Sequence, residues 1–216
     1  MPRAFSLRIP VLLAAAAAAF AASPDARAWP YSFEFGGALA NYTSPGALLL
    51  AQGKPASSSA SAGYDVLMTL SVQLQERMHG PLFSLGLQLR YLNGTSGAGD
   101  AFTVMPVSPV FRVEIWRLVL GAAYTNAVFD SLTFHRTGAI DSMLTLEAQF
   151  LFPITPEIDF GLQASRESFT SAAYGSNASV IEYGAFFRLN FGMDEAAAES
   201  RRKFKGWRYP LGSPLR

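Results

Sequence analysis

The residues that could do acid–base or nucleophilic chemistry are few in this 216-residue chain, which has two histidines and no cysteine. In the run His135-Arg136-Thr137 a hydroxyl follows a histidine by two positions, and Glu147 has the same parity. A histidine that takes a proton from a hydroxyl, with a carboxylate nearby, is the arrangement of a nucleophilic hydrolase. Threonine replaces the more usual serine, however, and the run lies in a predicted loop, while His79 lies in a predicted turn. We therefore predict no enzyme, and no catalytic, cofactor-binding or metal-binding residues.

A second set of reactive side chains is charged and alternates with apolar residues. Alternate residues of a strand share a face, so these charges are expected on one side of a sheet. The set comprises Glu34, Asp65, Arg90, Arg112, Glu114, Glu147, Asp159, Glu182 and Arg188. Such groups could line a selective pore or form a catalytic acid–base pair. Because an unpaired buried charge is costly, we expect them instead to pair with one another and fill an enclosed lumen.

Eight segments with period-two alternation must position these charges. They are residues 31–42, 62–75, 83–91, 104–116, 118–124, 140–152, 158–165 and 179–191. Long connections alternate with short ones, and an even number of strands with this alternation is typical of outer-membrane barrels. Pro106 and Pro109 interrupt the fourth segment and predict a bulge or a frayed rim there. In the first long loop, the apolar residues 47–51 are expected to fold back onto the rim or to contact lipid.

Outward-facing aromatic residues gather towards the strand ends, as an aromatic girdle at each membrane interface requires. The expected periplasmic girdle is Phe33, Phe83, Trp116, Phe152, Phe160 and Phe191, and the expected external girdle is Tyr64, Tyr91 and Tyr124. The alternative is a soluble barrel of the lipocalin kind, which would turn its apolar face inward. The polar face here is rich in small residues that suit a narrow lumen.

Composition and targeting agree with export. Residues 1–28 have two early arginines, an apolar run and an Ala26-Arg27-Ala28 cleavage site, which is the pattern of a signal peptide. Half of the chain is hydrophobic and 15% is charged, yet no later apolar run is long enough for a membrane-spanning helix. The formal net charge of +1 argues against a nucleic-acid partner.

The last strand ends with a polar-x-Gly-x-x-apolar-x-apolar pattern and a terminal aromatic residue. Its residues are Glu182, Gly184, Phe187, Leu189 and Phe191. The pattern resembles the assembly signal of outer-membrane barrels, and residues 29–191 as a whole resemble the small eight-stranded proteins of the OmpX and OmpA membrane-domain group. The resemblance implies an all-β, eight-stranded antiparallel up-and-down transmembrane β-barrel in a bacterial outer membrane. It also implies contact with outer-membrane lipid and insertion by the barrel assembly machinery.

The resemblance implies no activity, because that group includes adhesins, anchors, narrow channels and lipid-modifying enzymes. We expect a monomeric barrel without cofactors, structural or adhesive through its first, third and fourth external loops. A porin-like narrow channel for small or apolar solutes is the main alternative. A lipid A-modifying hydrolase is less favoured, because outer-membrane lipid A deacylases carry His-x-Ser where this chain has His135-x-Thr137. Residues 192–216 are a basic periplasmic tail with a candidate short helix over residues 194–205. The tail is expected either to be disordered or to contact the inner leaflet of the outer membrane or another envelope component.

Overall fold

The structure is a computed structural model that describes residues 30–43, 48, 61–74, 81–95, 99, 101–130, 140–155, 157–171 and 178–192. The predicted signal peptide, the tail beyond Gly192, and both histidines lie outside the described residues. Within those ranges, no helix has the length and apolar character needed to cross a bilayer.

Antiparallel strands form a single closed sheet. The strands are β1 (Tyr31–Tyr42), β2 (Ser61–Gln73), β3 (Leu82–Thr95), β4 (Ala101–Ile115), β5 (Leu118–Thr125), β6 (Val128–Asp130), β7 (Ser142–Pro153), β8 (Ile158–Thr170) and β9 (Ala178–Phe191). Pairing follows chain order from β1 to β5, β5 then pairs with β7, β7 with β8 and β8 with β9, and β9 pairs with β1. Because β5 and β6 pair with successive parts of β4, together they make one of eight barrel strands. The predicted eight-stranded barrel is confirmed.

The register gives the barrel a stagger that tilts every strand. A path that follows register partners around the barrel starts at Ser32 of β1 and returns to β1 at Tyr42. Between them the path passes through Ser71, Gly86, Val110, Ala123, Thr145, Glu167 and Val180. One circuit of the wall therefore advances from residue 32 to residue 42 of β1. Eight strands with a stagger of this size tilt by about 40° and leave an interior that side chains can fill. Side chains that are far apart in sequence consequently reach the same level of the lumen.

The two ends of the barrel differ. The barrel wall begins at Tyr31 and ends at Phe191, and both residues lie at one end, which we call the turn end. Tyr42 and the start of β9 lie at the opposite end, which we call the loop end. Strands at the loop end are longer than the alternation predicted, since β3 continues to Thr95 and β8 to Thr170. The predicted loop over residues 93–100 shortens to 96–100, and the predicted loop over residues 127–139 contains β6.

The expected bulge lies in the ladder between β4 and the β5–β6 strand. Residues 107–109 of β4 lie opposite residues 124–127, so the partner strand has one residue more. Thr125 completes the interrupted ladder, because its hydroxyl donates to the Val107 carbonyl at 2.6 Å and accepts from the Ala127 N–H at 2.8 Å. The register between β3 and β4 is the same on both sides of the prolines. The bulge therefore affects one neighbour of the proline-containing strand.

Candidate functional site

The lumen beside the turn end contains two arginines that share one carboxylate. Arg188 Nε donates to Glu34 Oε1 at 2.7 Å, and Arg112 Nη1 lies 2.7 Å from Glu34 Oε2. Arg188 Nη1 also donates to Glu114 Oε2 at 2.7 Å, and Arg112 Nε donates to Glu147 Oε1 at 2.5 Å. All five side chains are buried. We call this group the double-arginine layer, and Glu34 joins its two halves.

Neutral amides extend the double-arginine layer to further strands. Gln88 on β3 donates to Glu147 at 3.1 Å, and Arg188 donates to the Gln149 side-chain oxygen on β7 at 3.0 Å. At the mouth, Asn190 donates to Asp159 of the neighbouring β8 at 3.1 Å. The Gln88 and Gln149 bonds cross the lumen between strands that are not neighbours in the wall, so the layer braces the barrel from inside.

A second charged group, the single-arginine layer, lies nearer the loop end. Arg90 Nε donates to Asp65 Oδ2 at 2.8 Å, and the guanidinium also pairs with Glu167 and Glu182. The Ser165 hydroxyl donates to Glu182 at 2.9 Å. Glu167 was not among the sequence-predicted lumen residues, because the predicted strand ended at residue 165. Its parity with Asp159 was the signal that could have found it.

The structure thus places all nine sequence-predicted charged residues inside the lumen. It brings Glu34, Glu114 and Glu147 together with Arg112 and Arg188, and it groups Asp65 and Glu182 around Arg90. Asp159 contacts Asn190 at the turn end instead. Among the described residues the lumen contains three arginines and seven buried carboxylates, Glu167 included. Carboxyl groups therefore outnumber arginines in the described lumen.

At the loop end the lumen is closed by apolar side chains, which we call the apolar cap. The cap comprises Ala40, Tyr42, Leu48, Leu92, Phe102, Val104, Val128, Ile140, Met143, Phe169 and Val180. Tyr42 packs edge-on against Phe102 with ring centroids 4.8 Å apart, and its hydroxyl donates to the Asn93 carbonyl at 3.3 Å. Leu48 is fully buried in the cap. Leu48 of the predicted segment 47–51 therefore lies in the interior at the loop end, and residues 47 and 49–51 lie outside the described residues.

The cap reverses the inside–outside pattern of the strands that form it. Near the turn end, outward residues such as Phe35 and Leu87 are apolar and exposed, while inward residues are polar. Beyond the tyrosines, outward residues such as Asn41, Thr95 and Thr170 are polar. A polar exterior around an apolar interior is the arrangement of a water-soluble core. The loop end of the barrel wall is therefore suited to contact with water.

An inward phenylalanine fills the lumen beside the double-arginine layer. Phe186 is an apolar inward residue of β9 between Gly184 and Arg188, and it packs in a buried cluster with Val119 and Leu151. A Cβ added to Gly161 would overlap the Phe186 ring, so glycine at this position makes room for the aromatic side chain. The lumen is thus occupied by this ring as well as by the two charged layers and the cap.

The outer face near the turn end has a continuous band of aromatic rings. Trp116 contacts Phe150, which contacts Phe152, and the band continues through Phe160 to Phe187, with centroid separations of 5.1–6.1 Å. At the loop end, Tyr64 and Tyr91 lie 6.4 Å apart. The band contains Trp116, Phe152 and Phe160 of the predicted periplasmic girdle together with Phe150 and Phe187, and the tyrosine pair belongs to the predicted external girdle.

The residues of the predicted assembly signal take different places in β9. Glu182 belongs to the single-arginine layer, and the backbone of Gly184 lies so close to Gly37 and Ala38 of β1 that a Cβ would clash. Phe187 and Leu189 face outward, and Phe191 stacks on Tyr31 at 5.1 Å. Recognition of this pattern by the assembly machinery stays a prediction.

The hydrolase residues are not brought together by the described part of the structure. Glu147 faces the lumen and is held by Arg112 and Gln88, while His135 and Thr137 lie outside the described residues. Within the described ranges, no group of three His, Cys, Asp or Glu side chains has the spacing to hold a metal ion.

A closed barrel of eight strands, apolar outside and charged inside, has the architecture of a small transmembrane β-barrel of the outer-membrane type. No family model matches the chain, and no curated protein matches it significantly. Among solved structures, it is similar to Neisserial surface protein A, with 13% identity, a TM-score of 0.48, and coverage of 74% of this chain and 96% of that chain.

Two further matches are more distant in structure. The outer membrane protease OmpT from Escherichia coli has 8% identity and a TM-score of 0.36, and the match covers 76% of this chain and 97% of that one. The attachment invasion locus protein Ail of Yersinia pestis, in complex with the heparin analogue sucrose octasulfate, has 13% identity and a TM-score of 0.30, with coverage of 76% and 99%. Likeness at this level says nothing about ligands or activity.

Proposed function

We propose that this protein is a non-enzymatic, non-conducting barrel of a bacterial outer membrane, structural or adhesive through its external loops. The observation that carries the proposal is the filled lumen. The double-arginine layer with Phe186 beside it, the single-arginine layer and the apolar cap follow one another from the turn end to the loop end. The interior of an eight-stranded barrel is just wide enough for side chains to fill it.

The outer face supports the membrane location. Large apolar residues of every barrel strand are exposed there, including Leu39 at 73% and Phe187 at 53%. A contiguous apolar surface of this extent is not stable in water, whereas lipid covers it at no cost. The predicted signal peptide supports export, and short turns with both wall termini at one end support a periplasmic turn end.

The position of Glu147 supports a non-enzymatic role. A lipid-modifying carboxylate has to reach the lipid-facing surface, whereas Glu147 is buried in the lumen and paired with Arg112. We expect that expression of the protein leaves the acyl pattern of lipid A unchanged. A changed pattern that His135→Ala abolishes would replace this proposal with the hydrolase.

The decisive test of the filled lumen is conductance across a planar bilayer. We expect the refolded protein to give no discrete steps above the baseline, while a large porin in the same bilayer gives them. Sizeable, reproducible steps would establish the narrow channel instead. Because the described lumen contains seven carboxyl groups and three arginines, we would then expect a cation-selective current.

The adhesive part of the proposal concerns the segments between strands at the loop end. Replacement of residues 131–139 or 172–177 by a short turn leaves the described wall intact. We expect such variants to remain in the outer membrane and to lower the attachment of whole cells to surfaces. Unchanged attachment by both variants would leave only the structural role.

A further inference from the structure

Arg166 differs from every other outward-facing residue of the described strands because it is charged. The preceding outward residues of β8 are Ile158, Phe160, Leu162 and Ala164, and Arg166 is exposed beside them. Outward positions on the other described strands hold apolar or uncharged polar side chains. A charge on the lipid-facing surface of a barrel is costly at the bilayer midplane and much less so near an interface. The cost of this charge therefore depends on the position of Arg166 along β8.

The register places Arg166 at the loop-end boundary of the apolar surface. Its register partners are Leu146 and Ile181, which are exposed at 53% and 42%. Tyr183 pairs with Ala164, one outward position closer to the turn end, and it belongs to the level of the external tyrosines. The next outward residue of β8 is Ser168. The guanidinium thus lies where apolar side chains give way to polar ones, at the depth of lipid headgroups.

In the part of the chain that the structure describes, no carboxylate pairs with this guanidinium. Within the described residues, Arg166 makes no ion pair or side-chain hydrogen bond, whereas each lumen arginine pairs with at least two carboxylates. Arginine matches the geometry of phosphate oxygens and can bind them through two parallel hydrogen bonds. Charge complementarity therefore favours a phosphate on the lipid side of the wall.

A patch of hydroxyl groups lies directly above Arg166. Its members are Ser142, Ser168, Thr170 and Ser179, on three neighbouring strands, where Ser168 pairs with both Leu144 and Ser179. The same wall therefore presents three zones in order: aliphatic side chains, one guanidinium, and hydroxyls. Acyl chains, a phosphate and sugar rings occur in that order in a phosphorylated glycolipid, whereas a phospholipid lacks the sugars.

We propose that Arg166 binds the phosphate of an outer-leaflet glycolipid of the lipid A type. In this site the acyl chains lie on Leu146 and Ile181, and the sugars contact the hydroxyls of Ser168 and its neighbours. The site rests on the outer-membrane location proposed above, because this lipid occupies the outer leaflet of that membrane. It lies on the exterior of the barrel and requires no opening of the lumen.

The test compares lipid retention by the full-length mature barrel in detergent, measured by native mass spectrometry. The probes are bisphosphorylated lipid A, its dephosphorylated form, and phosphatidylglycerol. We expect Arg166→Gln to weaken binding of bisphosphorylated lipid A about five- to tenfold, as loss of one charged hydrogen-bonded contact does. Dephosphorylated lipid A should bind the wild type and the variant equally, and Arg166→Lys should restore part of the loss.

Arg117→Gln is the matched control, because it removes an arginine next to Trp116 at the turn end. We expect it to retain bisphosphorylated lipid A within twofold of the wild type. Equal binding by Arg166→Gln and the wild type would overturn the site, and so would wild-type binding of phosphatidylglycerol as tight as that of lipid A. Absence of the wild type from the outer-membrane fraction would refute the proposed location instead, so the two failures are distinguishable.

Discussion

Glu34 receives one arginine on each of its carboxylate oxygens, from β4 and from β9, and this residue joins two sides of the wall through the lumen. Such a bridge is stable only while every member is present. Removal of one partner from a buried ion pair leaves the other charge unpaired in a medium that solvates it poorly. The double-arginine layer is therefore the part of the lumen where single substitutions have the largest effect.

Arg112→Leu is expected to lower the free energy of unfolding by about 3 kcal/mol, because it removes the partner of Glu147 and one of the two partners of Glu34. The measurement is the midpoint of urea-induced unfolding in lipid vesicles. Arg166→Leu is the matched control, since it makes the same change on the outer face and should shift stability by less than about 0.5 kcal/mol. Equal midpoints for Arg112→Leu and the wild type would show that the layer does not stabilise the barrel.

At this scale the sequence identified the charged residues by parity alone, because alternate residues of a strand share a face. It could not determine which arginine meets which carboxylate. Those partners depend on the stagger of the wall, and Arg90 meets Glu182 across 92 positions of the chain. Glu167 was missed because Arg166 faces outward and interrupts the apolar alternation that marked the strand.

The bulge beside Pro106 and Pro109 shows how a strand accommodates residues that cannot donate to a ladder. Thr125 takes over two bonds at the interruption, one as donor and one as acceptor. The Val107 N–H also reaches the Ala127 carbonyl at 3.0 Å, so the ladder resumes one residue later. A β-bulge of this kind changes which residues of β6 face inward and brings Val128 into the apolar cap.

Thr125→Val is expected to lower the free energy of unfolding by about 1–2 kcal/mol, because it keeps the shape of the side chain and loses both hydrogen bonds. Hydrogen exchange should accelerate most at the amides of Ala127 and β6. Thr125→Ser keeps the hydroxyl and should stay close to the wild type. Equal exchange in the valine and serine variants would mean that the hydroxyl does not hold the bulge.

Strand existence was predictable from period-two alternation, whereas strand ends at the loop side were not. The strands were predicted from outward-facing apolar residues at every second position, and these residues stop at the external tyrosines. Beyond them β3 and β8 continue with polar residues outside and apolar residues inside. In these strand ends the polar residues face outward and the apolar residues face inward, and the segments are rich in Ser and Gly. Loops have a similar composition, so the sequence predicted loops where the structure has strands.

The whole molecule closes on itself through the pairing of β1 with β9, which extends over twelve residues of β1. Closure pairs the first strand with the last, and a closed barrel resists detergent until heat opens it. We expect the outer-membrane fraction to contain the protein, with different gel mobility before and after boiling. A soluble periplasmic protein without a mobility shift would indicate a barrel with its apolar face inward.

The level at which outward residues change from apolar to polar also sets the thickness of the apolar outer surface. On β1 the outward residues are apolar or small from Tyr31 to Leu39 and polar at Asn41, and the stagger repeats this boundary around the wall. A single helix can tilt to match a thicker or thinner bilayer, whereas strands joined in a closed ladder cannot change their inclination independently. The surrounding lipid must therefore stretch or compress to meet this wall, and membranes of matching hydrocarbon thickness will hold the protein with the least strain.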